Sequence, residues 1–299
     1  MMTSAHKTVL LQETIEGLDL KPKSLVIDCT FGGGGHSLEI CKRFPDVKII
    51  ALDQDQGAFE KAKEKFKDLD CDISFANENF RNIDKVLGKE GVGKVDGIIF
   101  DLGLSSDQLE NSGRGFSFMR DEPLSMTMKE NPLPEDVTAL DVVNTWEEKS
   151  LADIIYGYGE EKQARRIAKA IVDFRKEKKI ETTFDLVKII EDAIPAKFRK
   201  WKIHFATKTF QAIRIAVNDE LGALSEGLEK GFESLKVGGR MSVISFHSLE
   251  DRIVKRFYKK LAEENLAKLV NKKPIIAKAE EIKNNPRSRS AKLRILSRL

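Results

Sequence analysis

Along residues 24–106, short apolar runs alternate with amphipathic stretches. SLVIDC (24–29) reads as a buried strand, followed by the glycine-rich turn TFGGGGHS and helical sequence from Leu38 to Phe44. VKIIALD (47–53) predicts a second strand and residues 57–68 a helix. DISFANENF (72–80) predicts a third strand with its exit loop, and 81–90 another helix. VDGIIFDLGLSS (95–106) predicts a fourth strand, apolar on both faces and ending at Asp101. Strands alternating with helices at this spacing predict a parallel sheet covered by helices on both faces.

The rhythm then breaks. No buried strand is expected between Leu104 and Arg240. Residues 111–135, rich in Gly, Pro, Met and Asp, read as a long ordered loop. The helical patterns LDVVNTW, SLADIIYGYG, EEKQARRIAKAIVDFRKE and TTFDLVKIIEDAI follow. Apolar positions Phe210, Ile213, Val217, Leu221, Leu224, Leu228 and Leu235 predict one long amphipathic helix over 208–235. LKVGGR then turns the chain into a fifth strand at 240–246, with a helix at 249–265 and strands at 274–278 and 291–299. The expected architecture is an α/β domain of residues 1–109 and 209–299, interrupted by a helical domain of residues 110–208.

Composition narrows the class. The chain has 299 residues, 41% hydrophobic and 33% charged, enough apolar content to bury a core. No apolar run approaches the ~20 residues that span a bilayer. The start, broken by His6, Lys7, Gln12 and Glu13, lacks the apolar core of a secretory signal. A cytoplasmic, non-membrane protein is the expectation. Cys29, Cys41 and Cys71 form no Cys-x-x-Cys pair, and His6, His36, His204 and His247 are scattered. Packed or idle thiols and no metal site follow.

The net charge of +3 hides an asymmetry. Residues 251–299 carry 15 Lys/Arg against 5 Asp/Glu, and residues 162–214 carry 15 against 6. Those blocks, at +10 and +9, leave the remainder at −16. Two basic blocks on an acidic body suit a polyanionic partner, although lysine-rich helices are also common as plain solvated faces.

The glycine turn joins the end of a strand to the start of a helix, where glycines let backbone N–H groups approach a ligand. Asp28 precedes it, and Asp53 ends the second strand, where a carboxylate can accept both hydroxyls of a ribose. Dinucleotide binding wants G-x-G-x-x-G; Gly32 and Gly34 fit, but the third position is Ser37. A carboxylate at Asp28 would also repel a pyrophosphate. S-adenosylmethionine, a nucleoside bearing an ammonium and a sulfonium, suits these residues better than NAD.

Longer motifs sharpen the reading: HKTVLL, DCTFGGGGHS, ALDQD, FDLGLSSDQL, RGFSFMRD, YGEE, TFQAIRIAVNDEL, SFHSLEDRIVKRF and NPRSRSAKLR. Through them the chain resembles, almost end to end, the bacterial 16S ribosomal RNA cytosine-N(4) methyltransferases of the MraW (RsmH) family. It departs from the family pattern at Asp107 and Phe205, where proline is usual, and at Ser125, where Asp is frequent. The resemblance implies a class I, Rossmann-like methyltransferase sheet with an inserted helical substrate-recognition domain. It implies S-adenosylmethionine as methyl donor, no metal, and 16S rRNA, naked or within the small ribosomal subunit, as partner. Monomer and homodimer both stay open. Its cofactor contacts carry over to Gly34, Gly35, His36, Asp53, Phe80, Asp101 and Gln108.

Three competing readings differ in chemistry: rRNA methylation, methylation of DNA or a protein amino group on the same fold, and a non-catalytic assembly factor. The intact loop with Asp53 argues against the last. The D/N/S-P-P-Y motif of many amino methyltransferases is absent after the fourth strand, where Asp101-Leu-Gly-Leu-Ser-Ser stands. Asp101 is therefore a candidate catalytic acceptor as well as a cofactor contact. His247 and Ser248 follow the fifth strand and read either as site residues or as a cap, with Ser248 as N-cap and Asp251 three residues on. Phe116, Phe118, Met119, Met126, Met128, Trp146 and Trp201 could stack on a base but more often belong to a core. Arg165, Arg166 and Lys169 form a basic helical patch suited to RNA phosphates.

Overall fold

The structure is a computed structural model that describes residues 7–67, 69, 71–199 and 203–299. His6 and Trp201 lie outside the described residues. Contacts divide the chain into two compact units, Met1–Leu104 with Leu221–Leu299, and Ser105–Glu220. The seams expected from sequence stood at 109/110 and 208/209.

In the first unit, helices α1 (Leu11–Leu18), α2 (Gly35–Arg43), α3 (Gln56–Phe66) and α4 (Ile83–Lys89) alternate with strands β1 (Leu25–Asp28), β2 (Lys48–Asp53), β3 (Asp72–Asn77) and β4 (Val95–Asp101). The second unit holds α5 (Ser106–Glu110), α6 (Ala139–Thr145), α7 (Glu148–Gly157), α8 (Ala164–Glu177), α9 (Thr183–Ala193), α10 (Ala196–Arg199) and α11 (Thr207–Asn218). The chain then returns through α12 (Glu220–Ser234), β5 (Leu235–Ser245), α13 (Ser248–Glu263), β6 (Ala267–Leu269), β7 (Ile275–Ile276), α14 (Ala279–Asn284) and β8 (Lys292–Arg298).

The sheet runs β3-β2-β1-β4-β5-β8-β6, with β7 also paired to β8. Strands β1 to β5 are parallel, and β8 returns antiparallel to β5. This parallel-dominated sheet with helices on both faces is the α/β architecture expected from the sequence. Successive strand residues point to opposite faces, and the core divides accordingly. Ile27, Ile50, Ile98 and Phe100 pack with Val86 of α4, Leu224 and Leu228 of α12, and Tyr258 of α13. Val26, Ile49, Ala51 and Ile99 face the other way, against Ile15 of α1, Ile40 of α2 and Phe59 and Phe66 of α3. The apolar run of β4 is thus explained: Ile98, Ile99 and Phe100 are all fully buried.

Three expectations are corrected. The helix over 208–235 is two helices, α11 and α12, because Asp219 adopts a left-handed backbone at φ 45°. Asn218 beside it donates to the Met126 and Arg214 carbonyls and accepts from the Met128 N–H, which anchors the end of α11. An apolar repeat does not register one non-helical residue. The segment LKVGGR is part of β5 rather than a turn; an irregular register between Val95 and Gly97 absorbs it, and Gly238 takes φ +81°. Cys41 and Cys71, expected as packed or idle thiols, form a disulfide with Cα atoms 5.5 Å apart. Packing brings α2 beside the start of β3, a proximity that a separation of 30 residues conceals. Cys29 remains a buried free thiol, its pKa pushed well above the ordinary value by burial and by Asp28.

In the second unit, α6, α7, α8, α9 and α11 bury Val142, Ile155, Ile167, Ile171, Ile190 and Ile213 in a helical core. Capping boxes start α6 (Thr138 with Asp141) and α9 (Thr182 with Asp185). The long loop 111–135 is ordered by its own contacts. Gly115 has φ +75°, and a Cβ there would stand 2.4 Å from the Pro123 carbonyl oxygen. Phe116 and Met126 are buried, Phe118 is half-buried and stacks on His204 at 4.5 Å, and Met119 is exposed.

Asn144, in α6, ties down the turn before α9. Its amide donates to the carbonyls of Leu140 and Ile180, both at 2.8 Å, and its oxygen accepts from the Ile180 N–H at 3.0 Å. Removing it strands both polar groups of Ile180. Asn144→Ala should lower stability by roughly 2–3 kcal/mol, read as an earlier urea midpoint by circular dichroism. An unchanged midpoint would mean that solvent replaces these bonds.

Candidate functional site

The parallel order reverses between β1 and β4, and ligands of such sheets collect at the carboxyl ends of the strands flanking that reversal. Three carboxylates stand there. Register pairs Asp28 with Ala51 of β2 and Ile99 of β4, so Asp53 and Asp101 each extend two residues past Asp28.

Asp28 is 1% exposed and builds the loop. Its carboxylate accepts from Ser37 Oγ at 2.7 Å and from the Thr30 N–H at 3.3 Å. Burial raises its pKa; His36, Ser37 and Thr30 oppose the rise. The loop leaves β1 through Phe31, which packs among Phe59, Phe66 and Phe75. Gly34 takes φ +72°, with no room for a Cβ beside the Phe31 ring. A Cβ on Gly35 would stand 1.7 Å from Thr8 Oγ1, so the start of the chain packs directly onto the loop.

Asp53 is half-buried at the tip of β2. One carboxylate oxygen accepts from the Gly32 N–H at 2.7 Å and the other from the Asp55 N–H at 2.9 Å. Surrounding protein withdraws the carboxylate from water and raises its pKa to about 6, against the lowering effect of the two N–H groups. Phe80, at the exit of β3, meets Phe100 edge-on at 5.4 Å and leaves no room for a side chain on Gly227.

His36 and Asp101 are the unexpected pair. His36 is 4% exposed, and neither ring nitrogen has a hydrogen-bond partner among the described residues. Its Nε2 lies 3.4 Å from one oxygen of Asp101, whose other oxygen is buried and unpartnered. Asp101 is itself fixed, its N–H donating to Thr30 Oγ1 at 2.6 Å. Buried polar atoms are nearly always paired, so unmet atoms at the carboxyl end of the strands mark where a ligand would supply partners. The sequence placed both residues in the site without signalling that they meet.

Gln108 belongs to the second unit. It forms a capping box with Ser105, its side-chain oxygen accepting from the Ser105 N–H at 3.0 Å. The cap of α13 is shifted from expectation. His247, not Ser248, is the N-cap, and buried Glu250, not Asp251, closes the box through the Phe246 and His247 N–H groups. Asp251 instead binds Lys292 and Arg294 at 3.0 and 2.7 Å. The sequence carries the required S/T/D/N–E spacing one residue out of phase, because a histidine Nδ1 serves as the capping acceptor.

A model of the MraW methylase family matches residues 3–299. The chain is 46% identical to the ribosomal RNA small subunit methyltransferase H of Clostridioides difficile strain 630, over 98% of this chain and 99% of that one. It is 46% identical to the protein of that name from Clostridium botulinum strain Kyoto, over the whole of both chains. An rRNA methylase structure from Streptococcus thermophilus is 12% identical, with a TM-score of 0.46 over 99% of each chain. The chain belongs to the MraW methylase family.

The raised pKa of Asp53 has a definite sign. A carboxyl whose folded pKa of about 6 exceeds its unfolded 3.8 favours folding below 3.8, and that contribution is lost as pH rises through about 6. The neutral isostere Asp53→Asn escapes this loss. It should raise the melting temperature relative to the parent at pH 7.5, by up to about 3 kcal/mol of stability, and the gap should close near pH 4. Equal melting temperatures at both pH values would show that Asp53 carries no desolvation cost.

Proposed function

We propose that the protein transfers the methyl group of S-adenosylmethionine to the exocyclic N4 of a cytidine in 16S rRNA, in the decoding region of the small ribosomal subunit. The observation that carries this reading is Asp53 at the tip of β2, its carboxylate bonded to Gly32 of the loop, beside buried His36 with both ring nitrogens unmet and Asp101 with an unpartnered Oδ1. Family membership supplies the substrate class. Three carboxylates at one sheet edge suit a ligand with an ammonium and a sulfonium, and oppose a pyrophosphate.

The donor, when bound, supplies a methyl already activated by its sulfonium. The chain's residues do the rest. Asp53 would accept the ribose hydroxyls, Gly34 and Gly35 would let the loop backbone close on the ligand, and Phe80 would border its base. Asp101 would accept an N–H, either from the donor's ammonium or from the target amino group. The nitrogen lone pair of cytosine is delocalised into the ring, so an acceptor for its N–H bonds favours the transition state, and alignment behind the methyl contributes much of the rate. The product cation sheds its proton to water without a dedicated base. A stacked cytosine hides its amino group, so the enzyme takes an unpaired or flipped base at a cost of a few kcal/mol. The second unit would recognise the RNA: Arg165 and Arg166 of α8 are exposed, whereas Lys169 is tied to Asp173 at 2.8 Å.

Mass mapping of 16S rRNA, naked and in small subunits, after treatment with the protein and labelled donor should find one methylated cytidine. Label on DNA or protein alone would overturn the substrate. Asp53→Ala should weaken donor binding by about ten- to a hundredfold, the cost of losing charge-assisted hydrogen bonds. Calorimetry checks this, and an unchanged dissociation constant would remove Asp53 from the ribose site.

Asp101→Asn keeps the shape and replaces an acceptor by a donor. If Asp101 serves the cofactor, donor affinity falls while single-turnover methylation at saturation persists. If it serves the amino group, binding holds and turnover falls by about a hundredfold or more. A variant normal in both would exclude Asp101 from the chemistry.

A further inference from the structure

The basic carboxy-terminal block is not used by the site described above, and α13 carries its densest part. Val254, Tyr258 and Leu261 bury one side of this helix. On the opposite side Arg252, Lys255, Arg256, Lys259 and Lys260 are exposed. Their spacing places Arg252 over Arg256, Lys255 over Lys259, and Arg256 over Lys260, three i,i+4 pairs of like charge. Such pairs destabilise a helix, and where one recurs on α8, at Arg165 and Lys169, a carboxylate offsets it. Lys169 and Lys188 are each matched by a carboxylate four residues on, Asp173 at 2.8 Å and Asp192 at 3.0 Å. On α13 Glu263 answers Lys259 at 3.2 Å, but Lys255, Arg256 and Lys260 have no acidic partner among the described residues. A solvated face would not need this unbalanced arrangement.

Position adds the second reason. His247 caps α13 directly after β5, at the carboxyl edge of the sheet. The cationic face begins about one turn beyond that edge and continues for about 12 Å of helix. Over such a length a nucleic-acid strand presents several phosphates.

From this we infer that the exposed face of α13 is an RNA-backbone contact surface of the methyltransferase unit itself, engaging phosphates that flank the target nucleotide. The inference rests on the rRNA reading above. Lys255, Arg256 and Lys260 neutralise phosphates and carry no base readout. They act on affinity and its salt dependence, leaving the choice of nucleotide to other residues.

The test is the triple variant K255Q/R256Q/K260Q in the full chain, with K21Q/K63Q/K188Q as a control that removes the same charge from lysines paired to Asp19, Glu60 and Asp192. Binding of a 16S rRNA fragment is measured across a salt series, with donor affinity and melting temperature alongside. The α13 variant should bind rRNA more than tenfold less tightly at low salt, and its log affinity against log salt should flatten by about 2. Donor affinity should hold, and the melting temperature should hold or rise as like-charge repulsion is relieved. Parent-like affinity and slope, or equal flattening by the control, would overturn the assignment. Unchanged rRNA affinity with lost binding to polyglutamate would reassign the face to an acidic protein. A parent that binds no rRNA would remove the rRNA reading, and this surface with it.

Discussion

The candidate site depends on carboxylates held away from water at the ends of parallel strands. Asp28 and Asp53 do not merely wait for a ligand; each is built into the loop that would hold it. Asp28 grips Ser37, the third residue of α2, and Asp53 grips the Gly32 N–H. The loop therefore cannot shift without unsatisfying a buried charge, a loss that costs more than an ordinary hydrogen bond. Burial raises both pKa values, so the same contacts that fix the loop keep the carboxylates short of solvent. Loop geometry and charge placement are one arrangement. The close approach of Thr8 to Gly35 extends it to the start of the chain, where a single added methyl would force the loop apart.

The sheet explains how a large segment can interrupt this arrangement. β4 and β5 pair in parallel from Gly97–Arg240 to Asp101–Ile244 although the whole second unit lies between them in sequence. Their ladder and the core under it, with Leu224, Leu228 and Phe232 from α12, do not require the interrupting residues. The second unit has its own core and its own capping boxes. Each unit thus satisfies its own burial and polar requirements, as insertions that preserve a host fold must.

Much of this was legible in the chain because parallel strands buried on both faces leave dense apolar runs. VDGIIFD and the first two strands end at the carboxylates of the candidate site, and the glycine turn announced itself by composition. What failed was what periodicity cannot carry. One left-handed residue, Asp219, splits a continuous apolar repeat. The Cys41–Cys71 pairing depends on α2 and β3 being neighbours, a matter of packing rather than spacing. Helix α1 and the short strand β6 are too brief to show a period, whereas β7 falls within the strand expected at 274–278. The His36–Asp101 contact was invisible because its members lie on different elements, and only the register of β1 against β4 brings those elements together.

Charge is distributed so that one molecule can attract a polyanion yet keep its phosphates out of the crevice. Asp28, Asp53 and Asp101 crowd the sheet edge, and among the described residues no lysine or arginine pairs with any of them. Inside a protein, like charges a few ångströms apart repel by about 4 kcal/mol at an effective dielectric of 20. A phosphate brought against these carboxylates would meet that repulsion, whereas a neutral base would not. The cations lie instead on exposed helices, where screening is strong and each contact is weak and salt-dependent. On the proposed reading, an RNA approaching such a surface would be held by its backbone on the outside and would offer the carboxylates only its uncharged part, the base. On that reading, the separation of sign between carboxylates and surface would itself favour a nucleobase over a nucleotide phosphate. It requires no contact beyond the charges already in place.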